Sequence, residues 1–486
     1  MKSHAHRVKL LAATAPLLLL GACAVGPDYV RPNAAQPAAY KEAAGWKTAQ
    51  PRDAALRGNW WQMYQDPLLD ALEEQANTAN LNLAEAEAAY RQAVAAVQSA
   101  RADYFPTVGA EFDVTRSSSA TVSNNQLTTS NKTSGARTNH SLSLSASWEP
   151  DLWGRVRREV ESSSASAQAS AADLANVRLS MQAQLAQDYF QLRALDTQQL
   201  LLNRTLADYE RALKMTQNQY AAGVAARADV VQAQTQLKNA QTQALDIGVQ
   251  RAQTEHAIAL LVGKAPSEFS ITPAPLAATV PAIPLVMPSA LLERRPDIAA
   301  AERRVAAANA EIGVAKAAWF PSLGLSADVG YQSNTMAHLL SLPNRFWSIG
   351  PSLAETLFDG GARRAQTEQA QAAYDADVAT YRQTVLTGFQ EVEDNLAALR
   401  ILAQEAQTQD EAVQLARRSV ALTTNQYQTG TVSYLNVITA QTTALNSEIN
   451  AVDIRNRRLA ASVLLIKALG GGWHAPAAFD TSAPTR

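Results

Sequence analysis

At 486 residues with a net charge of −2, the chain is long enough for two or more ordinary domains, and it carries no dense Lys/Arg patch of the kind nucleic acid demands. Aromatics make up only 6% of it, and Ala and Gln are abundant, which suits long helices packed through small residues better than compact cores. A single cysteine excludes an internal disulfide framework.

The N-terminus has the form of an export signal. Lys2, Arg7 and Lys9 make a basic region, and the apolar run "LLAATAPLLLL" (10–20) is too short to span a bilayer stably. "LGAC" then presents Leu20, two small residues and Cys23. This order is similar to a bacterial lipobox and predicts a signal peptide over 1–22, with Cys23 as the lipidated first residue of the mature chain. An ordinary signal peptide with an incidental cysteine is the alternative. Ala24, rather than Asp, resembles lipoproteins sorted to the outer membrane. Residues 23–59 are rich in Pro and Ala and are expected to run extended behind the lipid anchor.

From residue 60 the chain reads helix, strand, strand, long helix, turn, helix, and then repeats. Asn82 with Glu85 three residues later is the candidate capping box of a helix running to about 102. In "YFPTVGAEFDVT" (104–115), Val108, Ala110, Phe112 and Val114 alternate with polar residues, a period-2 strand pattern. After a Ser/Thr/Asn-rich loop (117–139) comes "SLSLSASWE" (141–149), with Leu142, Leu144, Ala146 and Trp148 alternating with serines. From Gly154 to Ala221 no Pro or later Gly breaks a helix. Its second half has Leu192, Leu195, Leu202, Leu206, Tyr209 and Leu213 at heptad steps. A Tyr-x-x-Gly turn at Gly223 sends back a returning helix to about 262.

The proline-rich segment 264–294 reads as a linker. After it, "RPDIAAAERRVAAANAEIGVAKAAWFP" (295–321) aligns without gaps on "NLNLAEAEAAYRQAVAAVQSARADYFP" (80–106), and Asp297 is the helix-start signal. Leu323, Leu325, Ala327 and Val329 alternate, then Trp347, Ile349 and Leu353 share one face. "FDGGARR" (358–364) lines up with "LWGRVRR" (152–158), and "YQTGTVSYLNVITAQTTAL" (427–445) with "YAAGVAARADVVQAQTQL" (220–237). Val385, Phe389, Val392, Leu396, Leu399 and Ala403 give the second long helix its heptad stripe, and it ends at the Gly430 turn. Four landmarks in one order imply a tandem duplication: repeat 1 over 60–263, repeat 2 over 295–469, and a tail over 470–486. The hairpins fall at about 104–150 and 319–357, the helical hairpins at about 155–262 and 361–468.

All four strands are polar on one face and apolar on the other. Tyr104, Phe105, Trp148, Trp153, Trp319, Phe320 and Phe358 cluster at the strand ends nearest the helices, as an interfacial aromatic girdle predicts. The apolar faces are therefore expected to meet lipid, with Glu111, Asp113 and Thr115 facing a wet lumen. The alternative is a soluble sheet packed on helices. Four strands cannot close a membrane barrel alone, so the chain must oligomerise. Two copies would enclose a filled lumen and three a wider, wet one; both remain open on these grounds.

"CAVGPDYVRP" (23–32), "DLWGRVRR" (151–158), "RRPDIAAAE" (294–302), "YQTGTVSYLNVITAQ" (427–441) and "ALGGGW" (468–473) together resemble the TolC-like outer membrane factors. The resemblance is to their NodT/OprM-type lipoprotein branch and covers essentially the whole mature chain. It implies a homotrimer in which each duplicated chain gives four strands to a transmembrane β-barrel. That barrel joins a long antiparallel helical (α-barrel) periplasmic tunnel, a mixed α and β membrane protein. It implies a passive exit duct for small molecules, docked on a periplasmic adaptor (membrane fusion) protein and an inner-membrane pump, often of the RND type. A gate is implied at the periplasmic tip. Tyr220, Gly223 and Asp229 occupy it in repeat 1, and Tyr427, Gly430, Asn436 and Thr439 in repeat 2. Family members often carry Asp where this chain has Asn436 or Thr439, which leaves Asp229 as the nearby carboxylate. Asp229 reads equally as a helix-start residue favoured by the dipole.

No catalytic motif, phosphate loop or metal-ligand spacing is found, so no enzyme activity, cofactor or metal is expected. The competing classes are a protein-secretion duct of the same family and a non-conducting, lipid-anchored helical structural protein.

Overall fold

The computed structural model describes residues 25–34, 37–42, 58–118, 136–283 and 294–473. The signal peptide, Cys23 and most of the 117–139 loop lie outside the described residues. Repeat 1 contains α1 (Pro67–Ala79), α2 (Leu81–Ala102), β1 (Thr107–Ser117), β2 (Arg137–Trp148), α3 (Arg155–Ala221) and α4 (Arg227–Leu261). Repeat 2 contains α5 (Pro296–Ala317), β3 (Ser322–Ser333), β4 (Arg345–Ala354), α6 (Ala362–Gln428) and α7 (Tyr434–Ala468).

The duplication is visible in the element lengths. α2 and α5 have 22 residues each, α3 and α6 have 67, and α4 and α7 have 35. The long helices start and stop 207 residues apart, at 155 and 362, and at 221 and 428. Gly154 therefore falls on Gly361, one residue away from the match of "LWGRVRR" to "FDGGARR". None of the helices among the described residues is long and apolar enough to cross a membrane.

The chain forms two compact units. One contains 91–168, 302–379 and the N-terminal segment to residue 32. Its centre is an antiparallel sheet in the order β1-β2-β3-β4. Register places Val108 opposite Ala146, Ala110 opposite Leu144 and Phe112 opposite Leu142. Leu142, Leu144 and Ala146 in turn face Tyr331, Val329 and Ala327, and Val329 and Ala327 face Trp347 and Ile349. One face is thus apolar across all four strands. The other pairs Gly109 with Ser145, Glu111 with Ser143 and Asp113 with Ser141, and Ser145 with Asp328. The apolar face is uncovered: Val108, Trp347, Ile349 and Leu353 are each about 70% exposed or more. That excludes a soluble sheet packed on its own helices.

The N-terminal segment fastens onto this unit. Val25 N–H donates to the Trp153 carbonyl at 3.1 Å. Arg158, buried, bonds Asp28 at 3.0 Å and Glu161 at 2.8 Å, and the Tyr29 hydroxyl donates to Glu302. Glu302 also pairs with Arg303, whose guanidinium lies over the Tyr29 ring.

The other unit contains 33–90, 169–301 and 380–486. Its core sets Trp60, Trp61, Leu69, Leu72 and Ala76 with Leu185, Phe190 and Leu192, all buried. Asp66 caps α1 through the N–H groups of Leu68 and Leu69 and accepts the Tyr189 hydroxyl at 2.6 Å. The cap of α2 is Asn80, whose Oδ1 accepts the Leu83 N–H at 3.0 Å, and not Asn82. Asn80 also donates to the Leu261 carbonyl at 2.9 Å, so a tertiary bond decides which asparagine starts the helix. The chain after α4 is pinned by the buried Asp196, which accepts from Arg193, Arg251 and the Ala274 N–H. Of the two stripes, α3 buries Leu192, Leu195, Leu202 and Tyr209 as expected. On α6 the stripe passes from Leu399 to Leu402, leaving Ala403 exposed. Two successive steps of three, from Leu396 to Leu399 to Leu402, each fall short of a full 3.6-residue turn and carry the buried stripe around the helix surface.

Candidate functional site

The long helices are joined by two turns of one design. Val224 N–H donates to the Gln219 carbonyl and Gly223 N–H to the Tyr220 carbonyl, both at 2.9 Å. At the second turn Thr431 N–H donates to Gln426 at 2.9 Å and Gly430 N–H to Tyr427 at 3.0 Å. These are Schellman motifs, and both need a left-handed residue after the helix. Gly223 and Gly430 supply it at φ +74° and +76°.

Behind the turns the two helical hairpins share one apolar plug. Tyr434, 2% exposed, packs with Ala233 and Val437, and Ala212, Leu213, Tyr427 and Ile438 close around them. Helices α3, α4, α6 and α7 all contribute. The Tyr427 ring lies 5.3 Å from that of Tyr434, and its hydroxyl donates to Gln219 Oε1 at 2.6 Å. That bond links the end of α6 to the end of α3. Gln236 Nε2 donates to the Tyr209 hydroxyl and to Thr442 Oγ1, both at 2.9 Å, which ties α4 to α3 and α7. Burial pushes the Tyr434 hydroxyl up to about 12. It also raises that of Tyr427, and the charge of Asp229 adds to both. Both phenols therefore keep their protons at any pH a living cell presents.

Of the residues expected here, Tyr427 and the two glycines form part of this junction. Tyr220 is 48% exposed, and Asn436 and Thr439 are exposed on one face of α7, three residues apart. Asp229 is half-buried, and its carboxylate accepts the Ala226 N–H at 3.2 Å. That is the helix-start arrangement, one half of a capping box, because Ala226 has no side chain to return the bond. Tyr434, Gln219 and Gln236 were not expected. Tyr434 had a signal in the alignment of the repeats: it stands where repeat 1 has Arg227, an aromatic in place of a charge at a helix start.

At the strand termini, the indole N–H of Trp148 donates to the Tyr104 carbonyl at 3.0 Å, and that of Trp153 to the Pro321 carbonyl at 2.7 Å. Trp153 stacks on Phe320 at 4.9 Å, joining the end of the first hairpin to the start of the second. Trp319 donates to Thr367 at 3.2 Å and lies under the Arg363 guanidinium. Phe358 and Phe105 are 89% and 69% exposed. The tryptophans join a hydrogen-bonded N–H to an apolar body, and the phenylalanines add apolar surface beside them, the composition of an interfacial belt.

Comparison with known proteins gives the same picture. The family model described as "Outer membrane efflux protein" matches residues 72–264 and 287–471. The chain is 32% identical over 468 residues to the pyoverdine export outer membrane protein OpmQ of Pseudomonas aeruginosa, covering 96% of this chain and 97% of that one. It is 32% identical over 475 residues to the toluene efflux pump outer membrane protein TtgC of Pseudomonas putida, covering 96% of each. Among solved structures, the outer-membrane channel OprN superposes with a TM-score of 0.83 at 31% identity, over 93% of this chain and 100% of that one.

Proposed function

Because the chain belongs to the outer membrane efflux protein family, we propose that it is the passive exit duct of a tripartite efflux system, gated at the two Schellman turns. It is an outer membrane efflux channel; the gate, the partners and the lipid anchor are the added parts. The observation that carries the duct is the sheet. Its apolar face is uncovered across all four strands, and its opposite face holds Ser, Gly, Asp and Glu. A sheet of that kind with open edges at β1 and β4 suits a barrel shared among copies, lipid outside and water within. Three chains would close it and unite their helical hairpins in a tunnel.

The gate is supported by the shared plug around Tyr434. The hairpin of α3 and α4 and that of α6 and α7 are held together there by the Tyr427–Gln219 and Gln236–Thr442 hydrogen bonds and one small apolar contact set. Few contacts hold this junction, so it separates at modest free energy. Asn436, Thr439 and Tyr220 offer polar exposed side chains to line the opening. Lipidation of Cys23 is supported by the fastening of Val25, two residues on, to Trp153 at the strand-helix junction.

With no energy source of its own, the duct relies on a periplasmic adaptor and an inner-membrane pump, of the proton-driven RND class. In-cell cross-linking followed by purification of the full chain tests this: the adaptor and pump are expected to copurify. Recovery of the channel alone, at full surface expression and with pump substrates present, would contradict the tripartite assignment.

A further inference from the structure

Glu73 lies on the buried face of α1, which it shares with Leu69, Leu72 and Ala76. It is 0% exposed, and neither of its carboxylate oxygens has a hydrogen-bond partner. A buried carboxylate ordinarily meets a cation or several N–H donors, as Asp196 meets Arg193 and Arg251. Glu73 has neither. One chain alone encloses it, so a second copy cannot supply the missing partner.

The charge that acts on Glu73 is that of Asp70, one turn back on α1, and it repels. Asp70 has a buried oxygen without a partner of its own. Of the ionisable groups on the elements around α1, Tyr64 shares a 2.7 Å hydrogen bond with Ser462 of α7. Arg193 of α3 is held by Asp196, and Lys264, past the end of α4, lies over the Phe269 ring. Neither these three nor Asp188 of α3 nor Arg458 and Lys467 of α7 act on Glu73. Burial, reinforced by Asp70, lifts its carboxyl well above the ordinary 4.5. The fold therefore closes around a neutral acid.

The same helix grips the end of α4. Gln75 Nε2 donates to the Val262 carbonyl at 3.3 Å, and Asn80 Nδ2 to the Leu261 carbonyl at 2.9 Å. Carbonyls at a helix end have no partner within the helix, so these bonds satisfy them. We propose that Glu73 is a proton-operated latch on this end of α4: α1 stays seated while the carboxyl is protonated, and on ionising the unpaired charge lifts α1 off Leu261 and Val262. The latch lies at the opposite end of α4 from the Gly223 turn and does not depend on the gate. A carboxyl raised in the fold contributes its stability in full below about 4.5 and loses it as pH rises toward the folded value. Acid thus seats the latch and alkali loosens it.

Amide exchange of the full-length protein in detergent, followed by mass spectrometry between about pH 4.5 and pH 8, tests this. The reference is Glu73→Gln, which has the shape of the neutral acid and cannot ionise; the intrinsic pH dependence of exchange cancels in the ratio of wild type to variant. In peptides covering α1 and the end of α4, that ratio is expected to climb about tenfold per pH unit until the folded value is passed. Glu73→Leu, which cannot ionise and needs no hydrogen bond, should serve as reference equally well. A ratio that stays flat with pH against both variants would overturn the latch. A ratio that climbs in α1 but not at the end of α4 would overturn its hold on that helix.

Discussion

Tyr427 is the residue through which the gate is most easily questioned. Its hydroxyl makes one part-buried bond to Gln219 across the two hairpins, and a bond of that kind contributes about 1 kcal/mol net. Tyr427→Phe keeps the ring against Tyr434 and removes only that bond. It should shift the closed-to-open ratio roughly fivefold toward open, read as open probability in single-channel records. An unchanged open probability would move the gate elsewhere. Asp359 makes a second prediction, about pH. Its carboxylate accepts the Gly361 and Arg363 N–H groups and the Arg363 side chain at the start of α6. Those bonds to Arg363 and the two backbone groups hold its pKa down at about 2, against an ordinary 3.8. A depressed carboxylate stabilises the fold above its unfolded pKa and loses that contribution as pH falls through the folded value. Protection of the first turn of α6 from amide exchange should therefore fade as pH falls from about 3.8 to about 2, whereas Asp359→Ala should fray it already at neutral pH.

At the scale of elements, glycines with similar backbone angles differ in what surrounds them. A Cβ at Gly430 would meet nothing within 4 Å, so Gly430→Ala costs only the left-handed strain, about 1–2 kcal/mol. At Gly470, in the "ALGGGW" stop after α7, it would come within 2.1 Å of the Arg294 carbonyl. Gly470→Ala should thus lower the melting temperature of the assembled protein clearly more than Gly430→Ala, although both have φ near +80° or +90°. Equal losses would show that the stop is not packed as described. Element lengths, strand faces and both turns were legible because periodicity and glycine punctuation are local signals. What was not legible depended on tertiary partners. Asn80 rather than Asn82 caps α2 because Asn80 also reaches Leu261, and Leu402 rather than Ala403 continues the α6 stripe because the buried face winds around the helix. In the candidate gate, the two glycines and Tyr427 could be read from the Tyr-x-x-Gly repeat. Gln219 and Gln236 could not, since polar side chains on a polar helix face carry no mark of the partner they meet.

For the whole molecule, the question is which medium each face of the sheet meets. Leu144 and Ser143 are neighbours in β2 that point to opposite faces. If the apolar face lies in lipid, Leu144→Arg costs about 2–4 kcal/mol near the bilayer midplane and should deplete assembled protein from the outer membrane. Ser143→Arg should assemble normally and alter conductance instead, because it adds charge beside Glu111, its partner across the strands. The reverse pattern would turn the sheet inside out.

The central claim is that copies of this chain enclose a water-filled path that the helical turns keep shut. Planar-bilayer recording of the purified full-length protein tests it most directly. The wild type should sit mostly closed with brief, discrete openings, and Tyr427→Phe should lengthen or multiply those openings at unchanged unitary conductance. Bilayers that take up the protein yet stay silent with both wild type and Tyr427→Phe would contradict it, and would leave a lipid-anchored spacer in its place.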